Sequence, residues 1–104
     1  KARNLQGPRL MISLAPCPTG WDYEPGETVE IGKLAVQTGI WPLKEYVDGK
    51  VIHTKVPHPR LPVEEYLLRQ GRFHHLFAPR KNDRLLEEIQ SQVDRYWQEV
   101  ETGA

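Results

Sequence analysis

A chain of 104 residues and 12.0 kDa has room for one domain only. Fourteen Lys and Arg balance 14 Asp and Glu, with a pI near 7.1, so the basic excess of a nucleic-acid binder or a polybasic membrane-surface protein is absent. Hydrophobic residues at 38% plus 8 glycines fit a globular core and exclude wholesale disorder, and a single cysteine excludes an internal disulfide framework.

No apolar stretch approaches the ~18 residues that span a bilayer, and Lys1 to Gln6 holds no signal-peptide core. These features predict a soluble, cytoplasmic chain with neither nucleic acid nor membrane as partner. Starting at Lys1 and not at Met points to a fragment of something longer.

In chain order, the first strong element is Leu10-Met11-Ile12-Ser13-Leu14-Ala15. A short, nearly continuous apolar run of this kind predicts a strand at 10–15 buried on both faces, as in a parallel sheet. Pro16-Cys17-Pro18-Thr19-Gly20 must end it, because two of these residues lack an amide donor. A helix is predicted over about 25–38: Pro25 suits its first turn and Gly39 its C-terminal cap, while Ile31, Leu34, Ala35 and Thr38 keep helical spacing. Gly32 within it hints at close packing. Two strand-like runs then flank Asp48-Gly49, which predicts a β-hairpin at 43–56 with a type I′ turn pairing Tyr46 with Val51. Neither hairpin face is cleanly apolar, so the ribbon must lean on another element.

Val56-Pro57-His58-Pro59-Arg60-Leu61-Pro62 reads as an extended, semi-rigid connection. A short helix over about 62–70 follows, ended by Gly71, and Asn82 caps a long helix over about 82–101. Its stripe is Leu85, Leu86, Ile89, Val93, Tyr96, Trp97 and Val100, and its opposite face is charged and solvated. The order of elements predicts an α/β class, or α+β when the chain is taken as an isolated fragment.

Cys17 is the residue with chemical potential. A lone cysteine is ordinarily a small buried hydrophobe. Flanking prolines that fix the backbone and withdraw amide donors raise a second reading, a nucleophile or a metal ligand. A catalytic thiol would need a histidine nearby in space, and His53, His58, His74 and His75 show no ligand spacing of their own. No glycine-rich phosphate loop and no paired-carboxylate site is visible.

Ala15-Pro16-Cys17-Pro18-Thr19-Gly20-Trp21 resembles the C-terminal region of the thiamine-diphosphate-binding β subunit in the pyruvate:ferredoxin oxidoreductase (pyruvate synthase) and 2-oxoacid:ferredoxin oxidoreductase family. The likeness continues through Thr28-Val29-Glu30-Ile31 and through Leu34 to Tyr46, and returns at Pro62 to Leu67 and at Gln70-Gly71-Arg72-Phe73. It covers roughly residues 8 to 77, in order. The resemblance implies oxidative decarboxylation of a 2-oxoacid, with pyruvate foremost, to an acyl-coenzyme A. It implies [4Fe–4S] clusters, thiamine diphosphate and Mg²⁺ as cofactors of the full complex, and ferredoxin as electron acceptor. Cys17 matches the family's last cysteine, the fourth ligand of a [4Fe–4S] cluster, in keeping with the preference of such clusters for thiolates.

The family's other three cysteines and its thiamine-diphosphate motif have no counterpart here. The resemblance therefore implies that residues 1–104 are one C-terminal portion of a larger subunit. Its partners would be the remainder of that subunit and the other oxidoreductase subunits, and the chain alone would bind no cofactor and turn over no substrate. The alternative is a stand-alone structural or interaction module descended from that tail, with Cys17 merely buried.

Overall fold

The computed structural model describes residues 1–103. A 3-10 turn at Ala2–Asn4 leads into irregular chain, and one helical turn, α1 (Pro18–Trp21), follows. A 3-10 turn at Pro25–Glu27 then runs into α2 (Thr28–Gln37). Strands β1 (Leu43–Val47) and β2 (Lys50–Lys55) form the two-stranded antiparallel sheet, and α3 (Glu64–Leu67), a 3-10 stretch at Gly71–Leu76 and α4 (Asp83–Thr102) complete the chain. The mixed helix-and-hairpin class expected from the sequence is the class observed.

The core is built by α2, the α3 region and the start of α4. Ile31, Leu34 and Ala35 meet Val63, Tyr66, Leu67, Leu76 and Leu86, with Leu14, Trp21, Ile40, Phe73 and Ile89 packed around them. Helix α2 stops at Thr38, whose hydroxyl donates to the Leu34 carbonyl at 2.6 Å, and Gly39 takes the left-handed φ of +81°. Asn82 caps α4 through its Oδ1, which accepts from the Leu85 amide at 3.1 Å. Of the expected α4 stripe, Leu86 and Trp97 are buried, Ile89, Val93, Tyr96 and Val100 are half-buried, and Leu85 lies outside it.

The connection from 56 to 62 has no regular structure and bends at His58 and Pro59 rather than running extended throughout. The Leu61 amide donates to the Gln37 carbonyl at 3.0 Å, and the Val63 amide to Gln90 Oε1 at 2.8 Å. Arg60 Nη2 donates to Asp94 Oδ1 at 2.8 Å, and this bond holds the Asp94 carboxyl below its usual range.

Three further expectations need correction. Residues 10–15 form no strand and are not buried: Leu10, Met11 and Ile12 are 87%, 80% and 71% exposed. A strand exists through its ladder, and the described residues place no other extended segment beside this one. The helix expected over 25–38 is α only from Thr28, because Pro25–Glu27 winds as a tighter 3-10 turn. The helix expected over 62–70 is α only at Glu64–Leu67. Gln70 there adopts extended backbone (φ −117°, ψ 124°), and its buried side chain takes partners on both sides.

The hairpin obeys the expected turn and register. Asp48 and Gly49 have φ of +51° and +78°, and Val47, Tyr46 and Glu45 pair with Lys50, Val51 and Ile52. A bulge between Leu43 and Lys44 shifts the far end, so Lys44 meets His53 and Leu43 meets Lys55. The ribbon leans on α4, where His53 Nε2 and the Tyr96 hydroxyl are 2.7 Å apart. Because a Cβ at Gly49 would meet no atom within 4 Å, Gly49→Val isolates the backbone cost of a positive φ. Urea unfolding should show a loss of about 1–2 kcal/mol, above the ~0.5 kcal/mol of an ordinary surface change. A loss within the surface range would mean that the turn does not limit stability.

Candidate functional site

Cys17 is free, exposed and at the N-cap of α1. Its backbone is extended (φ −121°, ψ 107°), and its Sγ accepts the Gly20 amide hydrogen at 3.3 Å. The local sequence explains the turn. Pro18 sits at the first helical position, where a missing amide costs nothing, so the sulfur's backbone donor comes from Gly20. The Trp21 amide donates to the Cys17 carbonyl at 2.9 Å, and Asp22 ends the turn in the left-handed region at φ +58°. The cap is exposed, so the alternative of a buried core cysteine is overturned.

A second segment clamps this turn. The Gly71 amide donates to the Asp22 carbonyl at 2.7 Å. A Cβ at Gly71 would fall 2.0 Å from Asp22 Oδ2 and 2.8 Å from Asp22 Cβ, so glycine is what lets the two segments close. The Arg72 guanidinium lies 4.0 Å from the centre of the Trp21 ring and 4.6 Å from that of Phe73, in cation–π contact with both. Arg72 Nε donates to Gln70 Oε1 at 2.7 Å, and Gln70 Nε2 donates to the Tyr66 carbonyl at 2.8 Å. Trp21 also meets Tyr66 edge-on, with ring centres 6.4 Å apart. At the opposite side, Pro16 packs toward Gly32, where a Cβ would stand 3.6 Å from Pro16 Cγ. That is an ordinary van der Waals distance, so the close packing expected at Gly32 is not what the structure shows.

The histidines do not join this site. None of the four forms a hydrogen bond to the Cys17 sulfur; His53 bonds Tyr96 and lies edge-on to Trp97, with ring centres 5.4 Å apart. A Cys–His nucleophile pair is therefore not assembled. Among the described residues no three His, Cys, Asp or Glu side chains cluster as a metal cage. What remains chemically is one solvent-facing soft donor on a fixed turn, suited to complete a coordination sphere whose other ligands come from elsewhere. The Arg72 clamp and the Cys17 cap were not read from sequence. Arg72 lies 55 positions from Cys17, and the only signal was its place in Gln70-Gly71-Arg72-Phe73.

No protein-family model matches the chain. The pyruvate synthase subunit PorB of Methanothermobacter marburgensis is 46% identical over 100 residues, which is 96% of this chain and 33% of that protein. PorB of Methanosarcina barkeri is 44% identical over 95 residues, 90% of this chain and 32% of its own length. The chain is homologous to part of PorB. It spans about a third of the length of these curated relatives. With 96% of the chain inside the M. marburgensis PorB match, Cys17 and the clamp around it lie within the homologous stretch. The ketoisovalerate oxidoreductase subunit VorB of Pyrococcus abyssi is also similar, at 40% identity over 103 residues, 96% of this chain and 31% of VorB. PorB is named as a pyruvate synthase subunit and VorB as a ketoisovalerate oxidoreductase subunit, which agrees with the family resemblance of the Pro-Cys-Pro-Thr-Gly-Trp segment.

Proposed function

We propose that this chain is part of the thiamine-diphosphate-binding subunit of a 2-oxoacid:ferredoxin oxidoreductase, with pyruvate as the oxoacid, acting inside a cytoplasmic multisubunit complex. The observation that carries this reading is 46% identity to a PorB over 96% of the chain. The 40% identity to a VorB supports a branched-chain 2-oxoacid as the second substrate reading. In such a complex, thiamine diphosphate with Mg²⁺ supplies oxoacid cleavage, coenzyme A accepts the acyl group, and [4Fe–4S] clusters pass electrons to ferredoxin.

Within that complex Cys17 is one cluster ligand. Its exposed sulfur, already accepting one amide hydrogen, fits a thiolate donor: backbone N–H groups aimed at sulfur stabilise its negative charge. Trp21, Gly71 and Arg72 keep that sulfur from wandering as the turn meets the rest of the complex. The chain contributes one thiolate, and the remaining ligands and the Mg²⁺ and diphosphate contacts belong to other parts of the subunit.

Cys17→Ala in the assembled complex tests this. The expected result is loss of about four irons per subunit, with a missing low-temperature cluster signal and acceptor reduction lowered by at least about tenfold. Because the side chain is exposed, the variant should fold as the parent does. A complex that keeps its full iron content and its full rate would remove Cys17 from the ligand set.

A further inference from the structure

Position 20 is a glycine that its own backbone does not require. It lies inside the single turn of α1, and its φ is outside the left-handed region that favours glycine. At such a position alanine is the better helix former. What a side chain there would meet is specific. Outside the backbone of its own turn, a Cβ at Gly20 would touch Cys17 alone among the described residues, with Sγ at 3.3 Å and Cβ at 3.9 Å. The second distance is ordinary. The first is too close by a few tenths of an ångström, so something has to give. Pro18 restricts the Cys17 backbone, and the Trp21 amide holds the Cys17 carbonyl at 2.9 Å. The adjustment therefore falls on the sulfur.

The same residue supplies the sulfur's donor. A capping side chain ordinarily accepts from the second or third amide of its helix. Gly20 is the third residue of α1, and among the described residues its amide is the one donor that bonds Cys17 Sγ, at 3.3 Å. Gly20 thus acts on the sulfur twice, through a hydrogen bond that it makes and a methyl group that it lacks.

We propose that Gly20 is a positioning residue for the Cys17 thiolate: its amide holds the sulfur at one bearing, and its missing side chain lets the sulfur sit there. This rests on Cys17 being a cluster ligand, as argued above, and adds that position 20 sets the reduction potential of that cluster. The link is charge. An N–H group aimed at a ligating sulfur draws off negative charge, favours the reduced cluster and so raises its potential. A methyl at 20 displaces the sulfur and stretches that bond, so the potential falls.

Gly26 provides the control. It too has no left-handed φ, it lies in the 3-10 turn Pro25–Glu27, and a Cβ there would meet no atom within 4 Å. The test makes Gly20→Ala, Gly26→Ala and Cys17→Ala in the assembled complex. Its clusters are titrated with dithionite and mediators, followed by low-temperature electron paramagnetic resonance. The Gly20→Ala complex should keep its iron. For the cluster whose signal Cys17→Ala removes, the ratio of reduced to oxidised form at a fixed solution potential should fall at least about threefold, or about 28 mV for a one-electron couple. Gly26→Ala should titrate as the parent does. Urea unfolding of the Gly20→Ala chain should have its midpoint at or above that of the parent.

Loss of that one cluster from Gly20→Ala, at an undiminished urea midpoint, would show the same positioning in a stronger form. If Cys17→Ala loses its cluster while Gly20→Ala titrates with the parent or shifts upward, Gly20 has no such role and the ligand assignment stands. An equal shift in Gly26→Ala would remove Gly20 from the role in the same way. A lowered urea midpoint for Gly20→Ala would assign the effect to the fold and overturn the proposal. If Cys17→Ala keeps every cluster, the ligand assignment itself fails, and the role of Gly20 falls with it.

Discussion

Trp97→Ala should cost about 3–5 kcal/mol, a large share of the about 5–15 kcal/mol that holds a small domain folded. Trp97 is 1% exposed and is the largest fully buried side chain. Its Nε1 donates to the buried Gly39 carbonyl at 2.9 Å, and its ring meets His53 and Tyr96 edge-on, with centres 5.4 and 5.3 Å away. Alanine opens a cavity between α4, the hairpin and the end of α2. It also strands a buried carbonyl, which alone costs about 1–3 kcal/mol. Trp97→Phe keeps most of the packing and loses only the donor, so it should fall between the two. Urea unfolding followed by far-UV circular dichroism measures both. A loss under about 1 kcal/mol for the alanine variant would show that this seat contributes little.

Gly39→Ala attacks the same seat from the other side. At φ +81° an L residue is strained by about 1–2 kcal/mol before any contact is considered. Its Cβ would then lie 2.3 Å from Trp97 Nε1, 2.9 Å from Trp97 Cδ1 and 2.7 Å from Arg60 Cδ. The arginine stem can swing away, but the indole is enclosed and cannot. With overpacking of about 1–3 kcal/mol, the expected loss is about 2–5 kcal/mol. The two sites must couple. Phenylalanine at 97 removes the nitrogen nearest the new methyl, so Gly39→Ala with Trp97→Phe should lose less than the sum of the single changes. Strict additivity in that cycle would mean that the methyl is accommodated elsewhere.

The elements read from sequence were those whose determinants are local. Asp48-Gly49 dictated the turn, and with it the pairing of Tyr46 with Val51, because a two-residue I′ loop leaves no freedom of register. Asn82 and the apolar stripe behind it announced α4 for a similar reason: cap and period lie within one stretch of chain. The bulge at Leu43 and Lys44 had no comparable signature. The run at 10–15 has a strand's composition, and what it lacks is a neighbour, which composition cannot provide. Around Cys17 the prolines signalled a fixed loop, yet the turn that follows is clamped at Trp21 and Asp22 by Arg72 and Gly71, about fifty residues away. No periodicity links those positions.

That separation has a consequence in time. The contacts from Tyr66 to Phe73 that clamp the Cys17 turn are translated after it. At roughly 5–20 residues per second, the 56 residues from Cys17 to Phe73 take about 3–11 s to synthesise. Until then the thiol rides on an unclamped loop beside an unguarded apolar run. A cell making this chain must keep the nascent cysteine reduced and that run unaggregated for several seconds, and the site is set only after Phe73 has left the ribosome.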